Sequence, residues 1–295
     1  MQSDDLARLS DGFAALAASG APLVVGLRAA RGRPGSGVLW RDGVVVTSEQ
    51  ALPEAADYTA LLPGGGEARA ELAGRDRGTN VAVLRVEAKA PTPERADPPG
   101  PGVLALALGT DGAGGCTVRM AMIHRIGPAW HSMAGGRIDH LVRLDARLSG
   151  SEEGGPVLDA RGRLLGMSTL GPRRRALLIP HETVERVLDP LLAQGRVARG
   201  WLGVALQPVT LPEALRAVAG CELGLMVMSL STSGPAEVAG VLPGDIMLEV
   251  DGARSVRLRE LAERLGPERV GTECAVRLLR AGAVVEVRVT IGARP

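Results

Sequence analysis

Two hydrophobic rhythms run along this chain. Residues 3–19 place Leu6, Leu9, Phe13 and Leu16 at the three- and four-residue spacing of one helical face. Ser3 stands where an N-cap belongs, Asp4 and Asp5 follow where the helix dipole favours acids, and Gly20 with Pro22 ends the run. Beyond Pro22 the apolar stretches become short: 23–27, 37–40, 44–46, 81–86, 103–108, 141–144, 164–167 and 176–179. Turn residues such as Asp42-Gly43, Gly64-Gly65-Gly66 and Arg161-Gly162 separate them. Many short strands at this rhythm predict a β-sandwich or β-barrel. Helical spacing returns at 181–194, with Val184, Val187, Leu188, Leu191 and Leu192 on one side and Pro190 predicting a kink or an early end.

A second unit starts near Gly200. Strands are expected at 201–206, 225–230, 246–250, 274–280 and 284–291, with helices at 235–239 and 258–265. Gln194-Gly195-Arg196 links the two units. The expected layout is an N-terminal helix over 1–20, a β domain over 21–194 and a small mixed domain over 195–295. A chain of 295 residues has room for two cores of this kind.

Composition narrows the function classes. Lys plus Arg number 34 against 33 Asp plus Glu, a net charge of +1, which opposes nucleic-acid binding. Aromatic residues make up only 2%, too few for base-stacking platforms. Cys116, Cys221 and Cys274 are an odd, widely spaced set and read as buried small hydrophobes. His124, His131, His140 and His181 fit no ligand spacing, so neither a metal nor a cofactor is expected. Arg173, Arg174 and Arg175 read as a solvated turn. The uncharged stretch 12–27 is preceded by Asp4, Asp5 and Asp11 against Arg8 alone, the wrong charge for a secretory leader. It is also too short and too broken by Gly20 and Pro22 to span a membrane. A cytoplasmic chain with no membrane span is the expectation from these residues.

Four ordered blocks carry a resemblance. The first is Gly35-Ser36-Gly37-Val38 followed by Asp42-Gly43-Val44-Val45-Val46-Thr47; the second is Thr79-Asn80-Val81-Ala82-Val83-Leu84. The third runs from Asp145 to Thr169 and contains Gly150-Ser151-Glu152-Glu153-Gly154-Gly155-Pro156. The fourth is Trp201-Leu202-Gly203-Val204, with Ser233-Gly234-Pro235-Ala236, Ala239-Gly240 and Pro243-Gly244-Asp245 further on. Over residues 21–295 the chain resembles the HtrA family, which joins a trypsin-like serine endopeptidase to a PDZ domain. The resemblance implies a mostly β fold: a trypsin-like double β-barrel followed by a small α+β PDZ domain. Family members commonly form trimers through N-terminal aromatics, of which only Phe13 is available here, so the oligomeric state stays open.

Aligned on these blocks, Gln50 falls at the family's histidine position, Asn80 at its aspartate and Glu153 at its serine. A triad needs a nucleophile that loses a proton, a base titrating near neutral pH and a carboxylate to orient that base. Gln50 cannot take up a proton, Asn80 carries no charge and Glu153 has no hydroxyl. The expectation is therefore a degenerate triad without catalysis. In the loop Ser151-Glu152-Glu153 the backbone N–H groups correspond to the family's oxyanion hole. Two readings stand open: Glu153, or Glu152, folds onto them and locks the loop, or both are solvated loop acids.

Binding is what remains. The resemblance implies that a C-terminal peptide adds as a strand to an exposed PDZ edge, its carboxylate held by the loop Trp201, Leu202, Gly203 and Val204. Leu258, Leu261, Ala262 and Leu265 are expected to line the groove and select apolar termini. The expected function is a non-catalytic adaptor, regulator or chaperone whose partners are protein or peptide C-termini. The alternatives are an active endopeptidase of protein quality control and a structural subunit pairing with active relatives.

Overall fold

The computed structural model describes residues 3–30, 34–98, 100–132, 134–171, 174–254 and 257–293. Arg173 of the arginine run and the capping side chain of Ser3 lie outside the described set. The chain divides into two compact units, Met1–Val197 and Ala198–Pro295.

The first unit opens with α1 (Ser3–Gly20) and then builds two closed barrels. Barrel one comprises β1 (Val24–Ala29), β2 (Gly35–Arg41), β3 (Val44–Ser48), β4 (Tyr58–Leu61), β5 (Glu67–Asp76) and β6 (Val81–Val86), joined in the order β1-β2-β3-β6-β5-β4. Barrel two comprises β7 (Leu104–Thr110), β8 (Cys116–Gly127), β9 (Leu141–Arg147), β10 (Pro156–Asp159), β11 (Leu164–Leu170) and β12 (Arg175–Pro180), in the order β9-β12-β11-β10-β7-β8. Helix α2 (His181–Gln194) follows.

The continuous apolar runs are explained by two buried faces. In β3, Val45 fills barrel one beside Leu27, Leu39 and Leu84. Its neighbours Val44 and Val46 enter a second core shared by both barrels, with Leu106, Leu158, Met167 and the α2 residues Val184 and Leu188. A strand buried on both sides loses its polar alternation, and all five residues of β3 are buried. On α1 only Phe13, Leu16 and Ala17 pack onto the shared core, while Leu6 and Leu9 are exposed, so the expected four-residue face is half covered. Helix α2 continues through Pro190 to Gln194, so of the two expected effects of that proline an early end is not observed, and the helix closes at Gly195, whose N–H donates to the Leu191 carbonyl at 3.0 Å.

The second unit has a sheet in the order β13 (Val204–Thr210), β14 (Leu223–Leu230), β15 (Ile246–Val250), β16 (Glu273–Arg280) and β17 (Ala283–Thr290), with a short strand at Ala253–Arg254 beside β15. Helices α3 (Glu213–Ala219), α4 (Pro235–Val238) and α5 (Leu258–Arg264) pack with it. Its core gathers Leu202, Leu225, Val227, Met247, Leu261, Val276 and Leu278. Pro212 and Gly220 bracket α3, a start-and-stop pair that marks a helix the apolar pattern does not reveal.

Candidate functional site

The inter-barrel cleft brings the three substituted positions together. Gln50 sits on a 3-10 turn (Glu49–Ala51) directly after β3. Asn80 ends the turn before β6 with φ of 59°, a left-handed conformation that asparagine tolerates better than most residues. Its Oδ1 accepts the Gln50 backbone N–H at 2.9 Å. Glu153 lies in the loop before β10. There Ser36 of β2 donates its hydroxyl to the Ser151 carbonyl at 2.5 Å and its N–H to the Glu153 carbonyl at 3.3 Å. Gly154 turns that loop at φ of +88°, and a Cβ there would stand 2.3 Å from the Ser36 carbonyl oxygen. Only glycine fits both demands.

The side chains form one directed network. Gln50 Nε2 donates to Glu153 Oε1 at 2.7 Å and to the Leu170 carbonyl at 2.8 Å, with Thr169 Oγ1 at 3.1 Å. Asn80 Nδ2 donates to Thr169 Oγ1 at 2.7 Å and to Ser48 Oγ at 3.1 Å. The two hydroxyls lie 3.2 Å apart, and Ser48 donates to Glu153 Oε1 at 3.4 Å. Ser48 gives its one hydroxyl proton to Glu153, so Thr169 is the donor between the two hydroxyls. Apart from the Gln50 bond to the Leu170 carbonyl, these donors lead to Glu153. The expected alignment puts a triad's carboxylate at residue 80. Here the single carboxylate stands at 153, and amides occupy 50 and 80 to donate towards it.

In that arrangement no imidazole stands beside a hydroxyl. Gln50 donates and has no basic nitrogen. Ser48 and Thr169 are the hydroxyls beside the carboxylate, but they are 0% and 3% exposed, which leaves no approach for a peptide carbonyl.

Glu152 and Glu153 are 3% and 7% exposed, so neither is a solvated loop acid, and neither settles on the backbone of 151–153. Glu153 Oε1 reaches across the cleft to Gln50 and receives the Leu170 N–H at 3.4 Å, rather than turning onto its own loop. Glu152 does fold back, but onto Ser149: it accepts the Ser149 N–H at 2.7 Å and hydroxyl at 2.6 Å, and the Ser151 hydroxyl at 2.9 Å. These donors and Arg119 Nε at 3.5 Å offer more than the backbone of 151–153 alone. Burial raises the Glu152 carboxyl pKa, but the Ser149 hydroxyl and N–H, the Ser151 hydroxyl and Arg119 together outweigh it and hold it below the ordinary glutamate value.

Among the histidines, His181 Nε2 lies 3.8 Å from Asp97 Oδ1 and 3.8 Å from Glu182 Oε2, and His140 Nε2 lies 3.9 Å from Glu182 Oε1. Asp97, His181 and Glu182 thus hold ligand-type atoms within 4.8 Å of one another, a grouping invisible in the sequence because Asp97 lies more than eighty residues before α2. The positive end of α2 disfavours a cation there. The cysteines divide: Cys274 is buried, its thiol pushed up to about 11 by desolvation, Cys221 is half-buried and Cys116 is exposed. For Cys116 the expected burial is corrected: it begins β8, the strand with a largely open face.

In the second unit the loop 201–204 precedes edge strand β13. Gly203 has φ of +75°, and a Cβ there would meet Gly234 Cα at 3.2 Å and the Trp201 ring at 3.3 Å. Trp201 therefore braces the loop by packing over Gly203. The Leu202 carbonyl accepts from Ala236 and the Gly203 carbonyl from Ser231, both at 2.8 Å. Among the described residues the Leu202 and Gly203 N–H groups have no hydrogen-bond acceptor. Of the four expected groove residues, Leu258 and Ala262 are exposed, whereas Leu261 and Leu265 are buried in the domain core. A short amphipathic helix must turn one side inward, and the 261/265 spacing is that side.

Comparison with known proteins agrees with this architecture. The trypsin-like peptidase domain family matches residues 35–167 and the PDZ domain family matches residues 200–291. A probable periplasmic serine endoprotease, DegP-like, from Brucella suis biovar 1 (strain 1330) is 32% identical over 277 residues, covering 88% of this chain and 53% of the relative. A protein of the same description from Rhizobium meliloti (strain 1021) is 30% identical over 272 residues, with 88% and 53% covered. The chain thus spans about half the length of these curated relatives. Among solved structures, the HtrA-type protease AlgW with tripeptide is similar at TM-score 0.74 and 28% identity, covering 96% of this chain and 97% of that one. The serine endoprotease from Yersinia pestis is similar at 0.75 and 26%, covering 96% and 98%. The periplasmic description of the relatives overturns the cytoplasmic expectation. Among the described residues no helix is long and apolar enough to cross a membrane.

Proposed function

The chain belongs to the HtrA family, trypsin-like proteases joined to a PDZ domain, and from that premise we propose that it is a non-catalytic, periplasmic member that binds protein or peptide C-termini through its PDZ groove, as adaptor, regulator or chaperone. One observation carries the non-catalytic half: Gln50 Nε2 donates to Glu153 Oε1 at 2.7 Å in the cleft where the family's imidazole and serine meet. An amide bonded to a carboxylate neither accepts a proton nor forms an acyl ester. The binding half is supported by the edge position of β13 and by the open Leu202 and Gly203 N–H groups, which suit a terminal carboxylate. Loss of the cutting machinery leaves this second unit untouched.

The test uses the full chain in two assays on one sample. Unfolded casein should stay intact over hours at any pH between 5 and 9. An array of C-terminal peptides should show binding to apolar-terminated sequences that disappears when the terminal carboxylate is amidated. Casein cleavage overturns the first half. Uniform absence of binding, or indifference to amidation, overturns the second.

A further inference from the structure

The edge strand of the PDZ unit contains a proline, and its orientation follows from its neighbour. In β14, Val227 donates its N–H to the Asp245 carbonyl and accepts the Gly244 N–H, both at 2.8 Å, so both its backbone groups face β15 and the turn before it. Backbone groups alternate sides along a strand. Met226 and Gly224 therefore face β13, where they stand opposite Gln207 and Val209. That leaves Leu206 and Pro208 with their backbone groups on the open edge. The pairing of β13 with β14 shifts register only between Ala205 and Leu206, so the alternation from Leu206 to Thr210 is unbroken. Pro208 has no N–H. A proline within a sheet sits on an edge strand with the missing donor turned outward, and Pro208 does so on the edge assigned to the peptide.

We propose that Pro208 ends the peptide ladder, so that this PDZ groove reads only the last four residues of a C-terminus. The inference rests on the peptide-binding reading above. An added strand runs antiparallel to β13 with its carboxylate at the Leu202 and Gly203 N–H groups. Its last residue then lies against Val204 and its third from last against Leu206, which offers both an N–H and a carbonyl. Its fifth from last lies against Pro208, where the carbonyl meets no donor. Val204 and Leu206 pack their side chains on the same core as Leu202 and Leu261, giving the two terminal rungs an apolar floor. Partners need only a short free tail with an apolar end, and a longer unfolded segment adds no complete rung.

Binding of a nested tripeptide, tetrapeptide, hexapeptide and decapeptide to the full chain tests this, the decapeptide being the tightest apolar-terminated binder from an array. Affinity should rise from tripeptide to tetrapeptide and then change by less than about twofold, below the worth of one net hydrogen bond. Pro208→Ala and Pro208→Val should bind the decapeptide about two- to tenfold more tightly and the tetrapeptide as the parent does. The parent series stands alone if either variant folds poorly. Affinity that keeps climbing to the decapeptide in the parent, or variants that leave the length dependence unchanged, overturns the inference while the peptide-binding reading stands. Absence of binding at every length overturns both.

Discussion

The inter-barrel cleft and the PDZ edge differ in how their hydrogen-bonding capacity is used. In the cleft the donors turn inward. Gln50, Asn80, Thr169 and Ser48 are bonded to one another and converge on Glu153. At the PDZ edge the Leu202 and Gly203 N–H groups and one side of β13 have no acceptor among the described residues. The lesson is that a site inherits function through groups left unpaired, and a polar cluster that satisfies itself becomes part of the scaffold.

The largest expected effect comes from moving the charge back. Asn80→Asp replaces two N–H donors by acceptors and sets a second carboxylate in the Glu153 network, while leaving the left-handed backbone acceptable. It should lower unfolding free energy by about 2–4 kcal/mol in urea, read by tryptophan fluorescence. Adding Glu153→Ser should recover more than half of that loss, because the positions are coupled through Thr169 and Ser48. A strictly additive double variant would break the contrast, since it would mean that the cleft is not one network.

Next in size is the pH response of the loop. The Glu152 carboxyl titrates below its ordinary value in the folded chain, so the unfolded chain binds that proton more readily. Its stabilisation is complete above the ordinary carboxylate range and is lost as pH falls below about 4. Glu152→Gln should cost about 1–3 kcal/mol at pH 7 and show a shallower acid limb than the parent. An unchanged acid limb would contradict the assigned partners. Asp139, Asp159 and Asp245 are likewise lowered, so the variant should flatten the acid transition without abolishing it.

On the PDZ side, Gly203→Ala places a methyl group against Gly234 and Trp201 at a positive φ. It should cost about 1–2 kcal/mol and weaken C-terminal peptide binding while the cleft stays unaffected. Normal peptide affinity in this variant would show that the loop does not hold the carboxylate. The smallest effect calibrates the rest. The exposed Arg8–Asp4 pair on α1 at 2.7 Å lies outside both regions, and Arg8→Ala should change stability by less than about 0.5 kcal/mol.

Much of this architecture is readable without coordinates. The strands 44–46 and 81–86 announce themselves because both faces are buried, and three of the four sequence blocks single out Gln50, Asn80 and Glu153, which the fold brings together. What escapes is set by tertiary context. Glu67–Asp76 is rich in helix-forming residues, yet it is a strand because Ala70 pairs with Val86 and Leu72 with Leu84. Ser48 and Thr169 look like ordinary strand hydroxyls until two barrels bring β3 and β11 together. The directions of Glu152 and Glu153 depend on donors from Ser149 and Gln50, which sequence proximity does not reveal for Gln50. The inward turn of Leu261 and Leu265 depends on how α5 lies on its sheet.

The central claim is that the cleft holds a paired carboxylate where an activated nucleophile would stand, and a serine-reactive fluorophosphonate probe tests it most directly. The parent chain should remain unlabelled, while the chain carrying Gln50→His, Asn80→Asp and Glu153→Ser takes up the probe at residue 153. Labelling of the parent chain at any residue of the cleft would contradict the account.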